Sequence, residues 1–170
     1  DGTPGGTSLF ANLNPGSADS SPEQFVATSD LVFFVAEKPY SFYGDTRQVW
    51  VPDGTSAGTQ MITDIQGGFF GGSNPQELTV VGDQVFFTAQ TETDGRELWV
   101  TDGTAAGTSM VADLSPGTHY YFGDPNSSTF GELVDFNGTV VFTKLGQLWK
   151  SDGTAAGTEM IFASDSADNA

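Results

Sequence analysis

The residues best placed for chemistry recur in near-identical strings. Asp53, Asp102 and Asp152 open DGTSAGT (53–59), DGTAAGT (102–108) and DGTAAGT (152–158), and DGTPGGT stands at 1–7. A carboxylate in a Gly/Thr loop could serve a hard cation such as Ca²⁺, with Asp64 and Asp113 of the following TDI and ADL segments adding to it. Ca²⁺ takes roughly six to eight oxygens, so one carboxylate per loop falls short unless carbonyls and water contribute. The same letters also read as a turn that needs no ligand. Asp bonds nearby backbone N–H groups, Gly accepts positive φ, and the Thr hydroxyls satisfy further backbone groups. Recurrence at every copy is what a hinge predicts. The turn is therefore the preferred reading of Asp53, Asp102 and Asp152, and Ca²⁺ the alternative for the five aspartates.

Enzymatic chemistry finds less support. His119 is the only histidine and there is no cysteine, so a His-based metal cluster, a disulfide and a thiolate site are all excluded. No Gly-x-Ser-x-Gly elbow accompanies His119. Acid pairs of the kind glycosidases use are always at hand in so acidic a chain and discriminate nothing. The chain is read as non-enzymatic. Two sequons, at Asn126 and Asn137, are unsurprising in a Ser/Thr-rich sequence.

Elements that could position such residues follow from composition and period. With 22 acidic against 5 basic side chains, the net charge of −17 makes nucleic acid and anionic membrane poor partners. No apolar run reaches membrane-spanning length. The 14 phenylalanines argue against disorder, and abundant Gly, Ser and Thr point to a turn-rich β fold.

The motif aspartates are 52, 49 and 50 residues apart, the mark of a repeat architecture. Each period holds four short segments rich in Val, Phe, Trp, Ile and Thr. The first are 24–27, 77–81 and 133–136; the second are 31–36, 84–89 and 139–144; the third are RQVWVPD, RELWVTD and GQLWKSD; the fourth are SLFANL, QMITDI, SMVADL and EMIFAS. Gly82-Asp83 and Asn137-Gly138 are tight-hairpin signals. Four antiparallel strands per repeat predict an all-β, β-propeller-like fold of three blades plus one extra N-terminal strand. Trp50, Trp99 and Trp149 share one position of the third strand and read as filling between blades rather than as ligand platforms.

ELWVTDGTAAGT at 97–108 resembles the ELWxxDGT repeat of bacterial secreted and surface proteins. QVWVPDGTSAGT and QLWKSDGTAAGT are near matches, with Gln48 and Gln147 where the pattern has Glu. The likeness covers the chain from residue 1 to about 163. It implies propeller-like modules, secreted or on the bacterial surface, and carries no catalytic residues.

In an up-down meander the DGTxxGT turns share one rim with the short hairpins. The long segments 37–46, 66–75 and 115–128 fall at the other rim. There Tyr40, Phe42, Tyr43, Phe69, Phe70, His119, Tyr120, Tyr121 and Phe122 gather in loops, the usual place for binding. Such rings could stack on a sugar or anchor a protein, or they could tuck down to cover the blade ends.

The expected layout is residues 1–14 as the fourth strand of a preceding or partner blade, blades at 15–65, 66–114 and 115–163, and a tail at 164–170. Three blades fall short of the usual range of about four to eight. The expected partners are therefore further blades, from the same polypeptide or from a homo-oligomer that closes a ring or grows into a filament. The start inside its own motif is what a processed piece of a longer polypeptide would give. The leading functional expectation is an extracellular binding or adhesion module for a glycan or protein. The alternative is a structural subunit of a filament or surface coat.

Overall fold

The computed structural model describes residues 2–14, 19–38, 47–53, 55, 58–65, 73–91, 93–116 and 130–163. Twelve strands form three four-stranded antiparallel sheets, each a meander in sequence order. The first holds β1 (Glu23–Ala27), β2 (Val32–Glu37), β3 (Arg47–Val51) and β4 (Gln60–Met61). The second holds β5 (Gln76–Val81), β6 (Gln84–Thr91), β7 (Gly95–Thr101) and β8 (Ser109–Ala112). The third holds β9 (Val134–Phe136), β10 (Thr139–Lys144), β11 (Gln147–Ser151) and β12 (Glu159–Phe162). Helix among the described residues is confined to a 3-10 turn at Pro4–Gly6. The all-β class and the four-strand repeat are as the sequence implies.

The hairpins form where turn chemistry demands them. Val81 pairs with Gln84 across Gly82-Asp83, with Gly82 at φ 60°. Phe136 pairs with Thr139 across Asn137-Gly138, at φ 54° and 80°, the paired positive φ that a two-residue β-turn of this hand requires. The first strands of sheets one and two carry matching irregularities, with Gln24 and Glu77 at φ 54° and 59°.

Strand period two puts alternate residues on opposite faces, and both faces of the middle sheet are apolar. Phe33, Val35, Val49, Val51 and Ile62 of the first sheet pack on Leu78, Val85, Phe87 and Ala89 of the second. From the other face of the second sheet, Phe86, Leu98, Val100 and Val111 pack on Leu133, Val140 and Phe142 of the third. Phe33, Phe86, Phe87 and Phe142 are essentially inaccessible, each ring contributing about 1.5–3 kcal/mol. Trp99 packs into the first of these cores, stacked on Phe87 at 6.3 Å, and Trp149 into the second, stacked on Phe142 at 6.5 Å. Trp50 joins Phe34 and Ala36 in a smaller cluster with Leu13 and Met61. The tryptophans thus lie in packing, on the face each sheet turns toward the one before it. That face is termed near and its opposite far.

The inner edges line up as β1 beside β5 and β5 beside β9. Among the described strands no contact of similar extent joins β9 back to β1, so the three sheets form an open stack. SLFANL at 8–13, expected as the fourth strand of a preceding or partner blade, carries no strand pairing over 7–12 among the described residues. A fourth strand forms by laddering onto a third, and none of the described residues supplies one there. Leu13 instead packs against the near face of the first sheet.

Candidate functional site

The DGTxxGT turn decodes letter by letter. Asp102 Oδ1 accepts from the Thr104 backbone N–H at 2.8 Å and from the Thr104 hydroxyl at 2.7 Å. Thr104 Oγ1 in turn accepts from Gly107 N at 2.9 Å, and the Thr108 hydroxyl donates to the Thr104 carbonyl at 2.6 Å. Asp152, Thr154, Gly157 and Thr158 repeat the pattern, as do Asp53, Thr55, Gly58 and Thr59. Even the copy at 1–7 keeps half of it, since Gly6 N donates to Thr3 Oγ1 at 3.0 Å and Thr7 Oγ1 to the Thr3 carbonyl at 2.8 Å. The turn closes here although residues 7–12 that follow it pair with no described strand, so it is encoded locally. The Thr hydroxyl, then the Thr backbone N–H, holds each of the Asp53, Asp102 and Asp152 carboxyls below the usual aspartate range.

Both glycines of the motif have steric reasons. A methyl on Gly58, Gly107 or Gly157 would land on the carboxylate of Asp53, Asp102 or Asp152. Gly103, at φ 94°, rests on Leu31 and the Phe33 ring of the preceding sheet, and Gly153, at φ 92°, lies against Phe86 and Gln84. The Asp102 and Asp152 turns therefore each seat a glycine on the sheet before them.

The five aspartates considered for Ca²⁺ are engaged separately. Asp53, Asp102 and Asp152 hold their own threonines, Asp64 pairs with Lys38 Nζ at 2.6 Å, and Asp113 accepts from Ser115 N at 3.0 Å. Among the described residues no three metal-ligating side chains come together.

The first letter of ELWxxDGT has a role that sequence reasoning missed. Glu97 Oε2 accepts from the backbone N–H of Leu114 at 3.0 Å, and Gln48 Oε1 accepts from Ile65 N at 3.2 Å and the Thr63 hydroxyl at 2.7 Å. This residue therefore ties down the chain leaving the fourth strand, where Ile65 and Leu114 plug the gap to the next sheet. An amide or a carboxylate serves, which accounts for Gln at position 48.

Lys144 was also missed. Its ammonium, 2% exposed, lies 2.8 and 2.9 Å from the two oxygens of Glu97 across the second sheet junction, and 4.4 Å from the centre of the Phe130 ring. Burial lifts the Glu97 carboxyl above its usual range and lowers the Lys144 ammonium, while their mutual hydrogen bond pulls each back. The signal was present in the sequence: Lys144 stands where the other repeats have Ala36 and Ala89. Arg96 is buried as well, its guanidinium donating to the carbonyls of Asn74 and Thr88 and to the Thr88 hydroxyl, and burial brings its pKa down to about 10.

The meander fixes which connections share a rim. Turns 28–31, 52–59, 82–83, 102–108, 137–138 and 152–158 lie at one end of the sheets, while the connections leaving β2, β4 and β8 depart from the other. The nine candidate ligand residues, Tyr40, Phe42, Tyr43, Phe69, Phe70, His119, Tyr120, Tyr121 and Phe122, lie outside the described residues. So does the sequon Asn126, whereas Asn137 occupies its hairpin turn and is exposed. The described cavity is elsewhere: a groove of about 850 Å³ between residues 9–13 and the near face of the first sheet, floored by Phe25, Val32 and Phe34.

The chain matches no protein-family model, no curated protein and no solved structure. Its likeness to ELWxxDGT repeats rests on the motif itself, whose letters the turn and the Glu97 contacts explain in physical terms.

Proposed function

We propose that the chain is a non-enzymatic recognition module of the secreted or bacterial-surface type, in which stacked sheets form a stiff base for loops at one rim. The observation that carries this reading is the division of connections between the two ends of the sheets. Every turn at the motif rim is short or internally hydrogen-bonded, and spends its polar groups on itself. The long connections between Lys38 and Arg47, Ile65 and Ser73, and Pro116 and Phe130 all spring from the opposite rim. Their sequences concentrate aromatic rings beside Asp, Asn, Ser and Tyr hydroxyls. Flat apolar surface next to hydrogen-bonding groups suits a sugar ring, so a glycan is the preferred ligand over a protein. Loops on a rigid scaffold are the usual carriers of binding.

A glycan array tests this directly. The chain is expected to bind a defined subset of glycans, and Tyr120→Ala with Tyr121→Ala to abolish the signal while the melting temperature stays put. Silence across the array, or binding unaffected by the double variant, defeats the reading.

A further inference from the structure

We infer that copies of this chain stack head to tail, the far face of β9–β12 in one copy meeting the near face of β1–β4 in the next. This inference is independent of the rim reading, since it uses the faces of the sheets and none of the long connections.

The molecule contains two examples of the junction. In each, a near face bearing a Phe and a Trp packs on the far face of the sheet before it. Among the described residues, two faces of the same kinds lack a sheet partner. On the near face of the first sheet, Phe25 is 62% exposed although stacked on Phe34 at 5.2 Å. On the far side of the third sheet, Phe136 is 65% and Ile161 48% exposed. Ile161 follows the motif by the same interval as Ile62 and Val111, both buried at internal junctions. Val134 and Leu148 extend this apolar surface, Leu148 standing at the position of the buried Val49 and Leu98.

Charge supports the same pairing. The far face of the third sheet differs from its counterparts at Lys150, which stands where the other repeats have Val51 and Val100. Lys150 is the cross-strand partner of Val141, the residue at the position of Phe33 and Phe86. Phe33 and Phe86 are where internal junctions receive the glycine of an incoming aspartate turn. In the stack, Lys150 therefore faces the Asp53 turn of the next copy, and Asp53 and Asp30 both line the groove on the near face. Lys150, paired to Glu159 of its own sheet at 2.7 Å, replaces a valine on the side that meets two carboxylates, so its ammonium would bridge Glu159 and the incoming turn.

Residues 8–13 fit this arrangement. By motif position they match 60–65, 109–114 and 159–164. Leu13 already occupies its inter-sheet place, as Ile65 and Leu114 do in theirs, while the third repeat has Ser164 at that position. Leu9 is 80% exposed and belongs to no core. On stacking, β12 of the incoming copy takes the place of residues 8–11, and Leu13 supplies the plug the third repeat lacks.

Sedimentation velocity over a concentration series tests the proposal, at an ionic strength that screens the net charge of −17. The mass is expected to climb from 17.9 kDa past twice that value, as open-ended association requires. Ile161→Asp disables the far face and Phe25→Asp the near face, and each alone is expected to stay monomeric with an unchanged circular dichroism spectrum. Mixed, the two variants are expected to give a dimer with one copy of each. A wild-type mass independent of concentration overturns the proposal. So does a variant that dimerises with itself, which would mean face-to-face rather than head-to-tail contact.

Discussion

Lys144 of the third sheet reaches across the junction to grip both carboxylate oxygens of Glu97 in the second, at 2.8 and 2.9 Å, with both side chains almost wholly buried. Glu97 also receives the backbone N–H of Leu114. One carboxylate thus joins a neighbouring sheet and the exit of its own repeat. Removing one member of such a pair strands a buried charge, which typically costs about 3–5 kcal/mol, whereas replacing both is often close to neutral.

Glu97→Gln or Lys144→Ala alone is therefore expected to lower the denaturation midpoint strongly. The double variant recreates the Gln and Ala found at positions 48 and 89 and should recover most of the loss. Urea titrations of the wild type and three variants measure the coupling. Additive losses would mean that the pair is energetically silent.

The last glycine of the motif makes a second test. In Gly107→Ala the methyl displaces the Asp102 carboxylate from Thr104, an overpacking defect expected to cost about 1 kcal/mol or more. Ala105→Ser, two residues away on the exposed part of the same turn, is expected to be silent. Equal melting temperatures for the two variants would show that the contact between Gly107 and Asp102 contributes nothing.

Acid provides a third. The carboxyls of Asp53, Asp102 and Asp152 are held below their ordinary value of 3.8, chiefly by the threonine hydroxyls. A depressed carboxyl pKa contributes stability above the unfolded value and loses it as pH falls through the folded one. This contribution should be complete at neutral pH and be lost progressively as pH falls below about 3.8. Replacing all three aspartates by Asn is expected to flatten the acid limb of the stability curve in that window. An unchanged limb would assign the acid loss to other groups.

The turns also predict the response to chelation. Each motif aspartate already has two donors from its own threonine. Adding EDTA is therefore expected to leave the melting temperature where it was, and a fall on chelation would restore the Ca²⁺ reading of these loops.

The strands and their order were legible because two periods coincide in the sequence, alternation within each segment and a turn motif near every fiftieth residue. Trp50, Trp99 and Trp149 could be placed in packing for the same reason. SLFANL matches 60–65 and 109–114 in pattern, yet pattern alone provides no ladder; pairing needs a third strand beside it, and the described residues supply none there. Glu97 and Lys144 went unnoticed because their contacts span 17 and 47 residues, beyond anything local spacing reveals. Lys144 betrays itself only when the repeats are aligned and a charge appears in a column of alanines. The groove beside Phe25 was equally hidden, since it arises where a chain segment covers a face without pairing to it.

The seating of Gly103 on Phe33, and of Gly153 on Phe86, carries a consequence for how such a chain unfolds. The first and second sheets are each clasped by their successor, so stability is shared between neighbours rather than held within a sheet, as in a one-dimensional array. The middle sheet takes part in both clasps. Its amide protons, at Phe86 and Leu98, should be the last to exchange with solvent, while β12 frays first. A duplication that copies one whole period copies its clasp as well, so arrays of this kind can lengthen without inventing a new contact.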